Sequence, residues 1–126
     1  MIVGSISENK NFENRVAITP DVLKKYKSLG LKVHLIKDYA SHLGINDKEY
    51  EAEGAKILDT EEEIILTSKA IIQMNILEDD KLKQLKGEQI LVGVLNPYKN
   101  EKKLKEMALK KINCFSLELL PRITRA

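Results

Sequence analysis

The sequence predicts an α/β domain: a doubly wound, mainly parallel sheet of five to six strands with helices on both faces. Two observations carry that expectation. Short β-branched runs alternate with amphipathic stretches along all 126 residues, and most of those runs are apolar on both faces, as strands covered by helices on each side must be.

The strand candidates, in order, are "IVGSI" (2–6), "KVHLI" (32–36), "AKIL" (55–58), "AIIQM" (70–74), "QILVGVL" (89–95) and "CFSLEL" (114–119). The first helix is bounded by Thr19 as cap, Pro20 at the first helical position and Gly30 as stop, with Val22, Leu23, Tyr26 and Leu29 on one face. Thr60 followed by Glu63 has the spacing of a capping box, in which each residue satisfies a free N–H of the other, and it opens a short helix carrying Ile64 and Ile65. Gly54 and Gly87 are stops for helices near 47–53 and 78–86, and Asn100 can cap a helix running through Lys111. No linker, repeat or low-complexity stretch interrupts the alternation, so residues 1–126 read as one domain.

Composition excludes several function classes. The net charge is only +2 and the charges are interspersed, which provides no electrostatic footprint for nucleic acid. Cys114 is the one cysteine, so an intrachain disulfide is impossible, and it reads as a small buried hydrophobe rather than a nucleophile. The longest apolar runs, such as "ILVGVL", fall far short of the ~20 residues of a membrane helix, so no direct membrane insertion is expected. Neither GxGxxG nor GxxxxGK[ST] occurs, and Gly4 lies inside the first strand without partner glycines. His34 in a strand and His42 in a loop have no second ligand at metal-binding spacing, so no metal site is expected. The basic helix "KNEKKLKEMALKK" carries one apolar stripe and reads as a solvated face.

Ligands of open α/β sheets gather outside the carboxyl ends of the strands. Two groups of residues there can do chemistry: Glu8, Glu13 and Arg15 in the first loop, and Arg122 with Arg125 after the last strand. The planar guanidinium fork donates two parallel hydrogen bonds and keeps its charge, which suits carboxylate or phosphate recognition. For Arg15 the plainer alternative is a salt bridge to Glu13 or Glu8 that shapes the loop.

The segment from Glu8 to Gly30, "ENKNFENRVAITPDVLKKYKSLG", resembles the opening ExxxNExRVAxTP motif of alanine dehydrogenases and of the α subunit of proton-translocating NAD(P) transhydrogenases, with Phe12 where Asn is usual. "DKEYEAEGAKI" is similar to the family's DxxYxxAGAxI stretch, and the resemblance continues through "NILEDDKLKQLKGEQILVGVLNPYKN" to "LPRITRA". Alanine dehydrogenases hold substrate with an arginine of the first loop, a lysine ending the fourth strand and a histidine after the fifth. Here those places read Arg15, Gln73 and Asn96. Loss of the lysine removes a cation, and loss of the histidine removes an acid and base working near neutral pH. "NPYKN" resembles the transhydrogenase WPAQN, with Pro97 and Asn100 retained, and "PRITRA" resembles PRI[ST]RAQ up to Ala126.

The resemblance implies the N-terminal domain of a larger two-domain subunit, Rossmann-like or flavodoxin-like without the glycine fingerprint, whose glycine-rich NAD-binding domain is absent from this chain. It implies NAD(H) as cofactor, bound with Arg122 at the reactive end and with Arg15 and Arg125 as further contacts, and no catalytic side chain. NADP(H) is implied on a partner subunit, with hydride transfer coupled to proton translocation through membrane subunits. A homodimer is implied, in the cytoplasm and associated with the inner membrane through those partners. The motif's final glutamine would follow Ala126, as expected of a fragment of a longer subunit, and the isolated fragment is expected to be inactive. The alternatives are an N-terminal domain of alanine or saccharopine dehydrogenase type, and a stand-alone flavodoxin-like binding module. In the leading case the first-loop acid and arginine form one wall of a cleft whose other wall lies outside this sequence.

Overall fold

A computed structural model describes residues 1–9, 11 and 13–116. Within them the order is β1 (Ile2–Ser5), α1 (Pro20–Ser28), β2 (Lys32–Ile36), a 3₁₀ turn (Ser41–Leu43), α2 (Asp47–Ala52), β3 (Lys56–Leu58), α3 (Glu61–Thr67), β4 (Ala70–Asn75), α4 (Asp79–Leu82), β5 (Ile90–Val94), α5 (Glu101–Leu109) and β6 (Asn113–Ser116). All six strands form one sheet in the order β3-β2-β1-β4-β5-β6, and every neighbouring pair is parallel. The expected doubly wound α/β architecture is what the chain adopts.

The right-handed rule for parallel crossovers places α1 and α2 on one face and α3, α4 and α5 on the other, because the connection from β3 to β4 reverses the direction of winding. Side-chain placement agrees: an added Cβ on Gly4 would lie 2.0 Å from Ser68 Oγ and 2.8 Å from Ile64 Cγ2, so this bare position in β1 is what lets α3 approach the sheet. The core contains Val3, Val33, Leu35, Tyr39 and Tyr50 on the α1 and α2 side and Ile64, Ile65, Ile71 and Leu91 toward α3 and beyond. Tyr39 and Tyr50 meet edge to face at 5.8 Å, and their hydroxyls bond to the backbone of Ile18, Tyr39 accepting from its N–H and Tyr50 donating to its C=O. Two aromatic rings therefore fix the chain just before α1 begins.

Helix boundaries refine the expectations. Thr19 caps α1 by accepting from the Val22 N–H, Pro20 is its first residue, and Gly30 closes it at φ +81°. Leu29 is 73% exposed rather than part of the buried face, because it already lies beyond the last helical turn. Thr60 accepts from the Glu63 N–H but the return bond is not made, whereas Asn46 and Glu49 at the start of α2 make both halves of a capping box. α4 is one short turn rather than a helix over 78–86, and the positive φ at its far end belongs to Glu88 rather than Gly87. Asn100 turns its amide back to the carbonyls of Leu95 and Asn96 instead of capping α5. β6 is described to Ser116, so the expected continuation to residue 119 falls outside the described residues.

Candidate functional site

The strand order reverses between β1 and β4, and the crevice of an open α/β sheet lies outside the carboxyl ends of such a pair. A cleft of about 680 Å³ occupies that place, lined by the residues following β1, the end of β4 and the segments after β4 and β5. Its construction begins with a break in the sheet. β4 shifts register against β5 between Ile72 and Asn75, and Gly93 accommodates the shift: a Cβ there would lie 2.5 Å from the Gln73 carbonyl oxygen. The displaced end of β4 thus turns Gln73 and Asn75 toward the first loop.

Gln73 is 2% exposed and wholly engaged. Its Oε1 accepts from the Ile6 N–H at 2.7 Å and lies 3.0 Å from Ser5 Oγ, which shares its proton with the Ile72 carbonyl at 2.6 Å. Its Nε2 donates to the Ile6 carbonyl at 3.0 Å and to Glu8 at 2.8 Å. The Tyr39 hydroxyl, 2.8 Å from Ser5 Oγ, supports the cluster from the core. Glu8 also accepts from the backbone N–H groups of Met74 at 2.8 Å and Asn75 at 3.2 Å. Burial raises its pKa above the ordinary carboxylate value, and the backbone bonds oppose that only in part.

Glu13 is fastened differently. Its carboxylate accepts a forked pair from Arg15, Nε to Oε2 and Nη2 to Oε1, both at 2.9 Å. It also accepts from the Arg15 backbone N–H at 3.0 Å and from Asn75 Nδ2 at 3.0 Å. Those four donors match the four acceptor sites of a carboxylate. The Arg15 side-chain bond is the chief cause holding the pKa of Glu13 down at about 2, and Arg15 is raised in return. The pair is lopsided, with the side chain of Arg15 72% exposed and that of Glu13 10%.

Arg15 itself does not line the cleft; it is tied to the lining through Glu13. The salt bridge foreseen as its plainer role is present, and it leaves the guanidinium facing outward. Arg122 and Arg125 lie outside the described residues, as does Phe12. The two histidines are engaged elsewhere: His42 Nε2 contacts the Asn14 carbonyl at 2.7 Å, and His34 Nδ1 contacts Thr67 Oγ1 at 3.0 Å. Among the described residues no group of His, Cys, Asp and Glu could hold a metal ion, and no helix is long and apolar enough to cross a membrane. Burial raises the thiol pKa of Cys114, which removes nucleophilic character.

Sequence reasoning missed Asn75, which bonds to Glu8 with its backbone and to Glu13 with its side chain. Its place within "AIIQMN" as the last residue of a strand was the available signal. Asn96, where the dehydrogenases carry histidine, sits at φ +48°, a backbone conformation that asparagine accepts better than most side chains.

The charge of the lining is distinctive. Glu8, Glu13, Glu61, Glu78, Asp79 and Asp80 face Lys81, Lys99 and Lys103, six acids against three bases. Lys81 is already engaged by Glu61 and Glu62, and Lys103 by Asp79. The described wall therefore offers acceptors more readily than cations.

Residues 4–126 match the model of the alanine dehydrogenase/PNT N-terminal domain. The chain belongs to that family. It is 35% identical to the first of the separately encoded pieces of the NAD(P) transhydrogenase alpha subunit of Rickettsia prowazekii, over 100% of this chain and 34% of the relative. It is 33% identical to an alanine dehydrogenase of Methanococcus maripaludis, again over 100% of this chain and 34% of the relative. Its structure superimposes on a transhydrogenase from Sinorhizobium meliloti with a TM-score of 0.90 at 29% identity, covering 98% of this chain and 37% of the other. The chain thus spans about a third of the length of these relatives. The family domain is an oxidoreductase domain in its named relatives, and the fold and the cleft described above are its local realisation here.

Proposed function

We propose that this chain is the N-terminal domain of an NAD(H)-binding transhydrogenase α subunit, presenting one polar wall to the reactive end of the cofactor. The observation that carries the reading is the engagement of Gln73. Where the dehydrogenase pattern calls for a lysine to meet a substrate carboxylate, this chain has an amide spent on Ile6, Ser5 and Glu8. An amino or keto acid would meet a wall dominated by carboxylates, with neither that lysine nor the dehydrogenase histidine to receive it.

The described residues suit part of a pyridine nucleotide. Residues 6–19, joining β1 to α1, contain no glycine, so the backbone cannot cradle a pyrophosphate closely there. The acceptors and the outward guanidinium of Arg15 suit the nicotinamide end, and in this proposal Arg122 and Arg125 complete that wall. The nicotinamide, when bound, supplies the hydride. The chain's own side chains bind and orient it and carry no proton. A glycine-rich second domain in the same polypeptide supplies the other wall, NADP(H) sits on a partner subunit, and membrane subunits couple transfer to proton movement. The complete subunit is a cytoplasmic homodimer in this reading.

The test is a fluorescence titration of NADH against the complete natural polypeptide, wild type and Arg122→Ala, together with an assay for alanine-dependent NAD⁺ reduction. Saturable NADH binding weakened by Arg122→Ala, with no alanine-dependent turnover, supports the proposal. Alanine-driven reduction at rates comparable to a dehydrogenase overturns it in favour of the amino-acid reading. This 126-residue chain alone is expected to bind NADH weakly and to turn nothing over.

A further inference from the structure

We infer that Asn75 is a positioning residue: it fixes the Arg15 guanidinium through Glu13, and so sets how firmly the reactive end of NADH is held. The consequence for NADH rests on the proposed function; the arrangement of side chains does not.

An exposed arginine is ordinarily mobile, because its long side chain gains little from any one surface contact. Arg15 departs from this. Two of its side-chain nitrogens and its backbone N–H all meet the Glu13 carboxylate within 3.0 Å, and that carboxylate is itself 10% exposed. Burial of the acid turns a surface pair into an anchored one. What holds the acid from the other side is Asn75, whose Nδ2 lies 3.0 Å from Glu13 Oε1, the oxygen that also accepts from Arg15 Nη2. Asn75 is in turn located by its own N–H on Glu8 Oε1 at 3.2 Å, at the end of the shifted strand. The relay runs from β4 to Asn75, Glu13 and Arg15 along the wall of the cleft, which both Glu13 and Asn75 line. An amide is required at position 75, since a donor is the one group that leaves the Glu13 carboxylate both ionised and oriented.

Asn75→Asp tests this, because it replaces the donor by a carboxylate at the same distance. Two carboxylates so placed share a proton, and the shared site titrates well above an isolated acid. Glu8 and Arg15 are the other charged groups against Glu13, and both are common to every variant. In the complete natural polypeptide, NADH binding by wild type is expected to be flat from this pair between pH 5 and 8, since Glu13 is ionised throughout with a pKa of about 2. Asn75→Asp is expected to weaken NADH about tenfold at pH 8 and to recover toward pH 5, as the shared proton restores a donor. Asn75→Ala is expected to lose about threefold without a pH profile, and it keeps the test open should the aspartate variant not fold. In parallel, the Arg15 Nε–H resonance of the 126-residue chain is expected to be resolved in wild type, lost in Asn75→Asp at pH 8 and regained at pH 5.

A flat profile at wild-type affinity for Asn75→Asp, with its Arg15 resonance unchanged, overturns the inference. So does an Arg15→Ala variant that binds NADH as wild type does. Failure of wild type to bind NADH instead overturns the functional reading, and the Arg15 resonance then decides alone whether Asn75 positions Arg15.

Discussion

Glu8 and Glu13 lie in one loop and reach the end of one strand, yet their surroundings drive them in opposite directions. Glu8 meets only neutral amides, from Gln73, Met74 and Asn75, and burial raises its pKa. Glu13 meets a guanidinium as well as an amide, and its pKa falls to about 2. The first is a backbone staple that locks the loop to the sheet at a desolvation cost. The second is a mount for a cation that faces outward. Two carboxylates of similar reach thus do different work, and the difference lies in whether a formal charge stands opposite.

Removing the amide beneath the staple is expected to have the largest effect. Gln73→Leu deletes the partners of the Ile6 N–H, the Ile6 carbonyl and Glu8 in a site that is 2% exposed. Each buried group left unpaired costs roughly 1–3 kcal/mol, so a total loss of about 3 kcal/mol or more is expected in urea denaturation. A loss below about 1 kcal/mol would mean that the loop is held without Glu8 and Gln73, and the staple would lose its meaning.

Glu13→Gln ranks second, and its signature is a pH dependence. The folded-state pKa of Glu13 is depressed from 4.5 to about 2, so the stability it contributes is fully present above the unfolded value and lost as pH falls through the folded one. The gap in urea midpoint between wild type and Glu13→Gln should therefore be widest above about pH 5 and close progressively between about pH 4.5 and 2. Glu8, with its pKa raised, contributes the opposite slope: its carboxyl favours the folded state below the unfolded value, and that contribution disappears as pH rises through the folded one. It is common to both proteins and cancels in the difference. A gap independent of pH would place the value of Glu13 in packing rather than in its charge.

Much of this arrangement was legible in the sequence because it is local. β-branched runs and caps such as Thr19–Pro20 announce themselves within a few residues, and the sheet follows from their alternation. The pairing of Glu13 with Arg15 is equally local, two residues apart. Gln73 is different. Its meaning depends on Ser5, Ile6 and Glu8, which are separated from it by most of the domain and meet it only because β1 and β4 are neighbours. A departure from a family pattern could be seen at position 73, but not that the amide is consumed by the backbone. The same holds for Asn75, where the register shift that turns the side chain depends on Gly93 in another strand. Capping boxes show the limit of spacing rules, since Asn46–Glu49 forms one and Thr60–Glu63 only half of one.

A cap far from the loop gives a scale for these losses. Asn46→Ala removes the acceptor for the Glu49 N–H at the start of α2 and is expected to cost about 1 kcal/mol. Because it touches neither carboxylate, its deficit should hold steady from about pH 8 to 5, unlike that of Glu13→Gln. A deficit that tracked the Glu13 profile would show that the loop and α2 unfold as a unit coupled to the acid pair.

The smallest expected effect sharpens the comparison most. Lys103 and Asp79 form an ion pair at 3.0 Å, a length comparable to the Arg15–Glu13 contact of 2.9 Å, and Lys103 lines the same cleft. Their side chains are 40% and 68% exposed, so neither charge is taken from water, whereas Glu13 is 10% exposed. Exposed pairs of this kind contribute about 0–1 kcal/mol and are screened by salt. Lys103→Ala should therefore shift the denaturation free energy by less than about 0.5 kcal/mol at low ionic strength, and by nothing measurable at salt on the order of 0.5 M. Glu13→Gln should keep most of its effect in the same salt, since the acid and the amide behind it are shielded from solvent. Were both variants to lose their effects together as salt rises, the burial of Glu13 would not distinguish the two pairs, and Arg15 would be no better held than any surface cation.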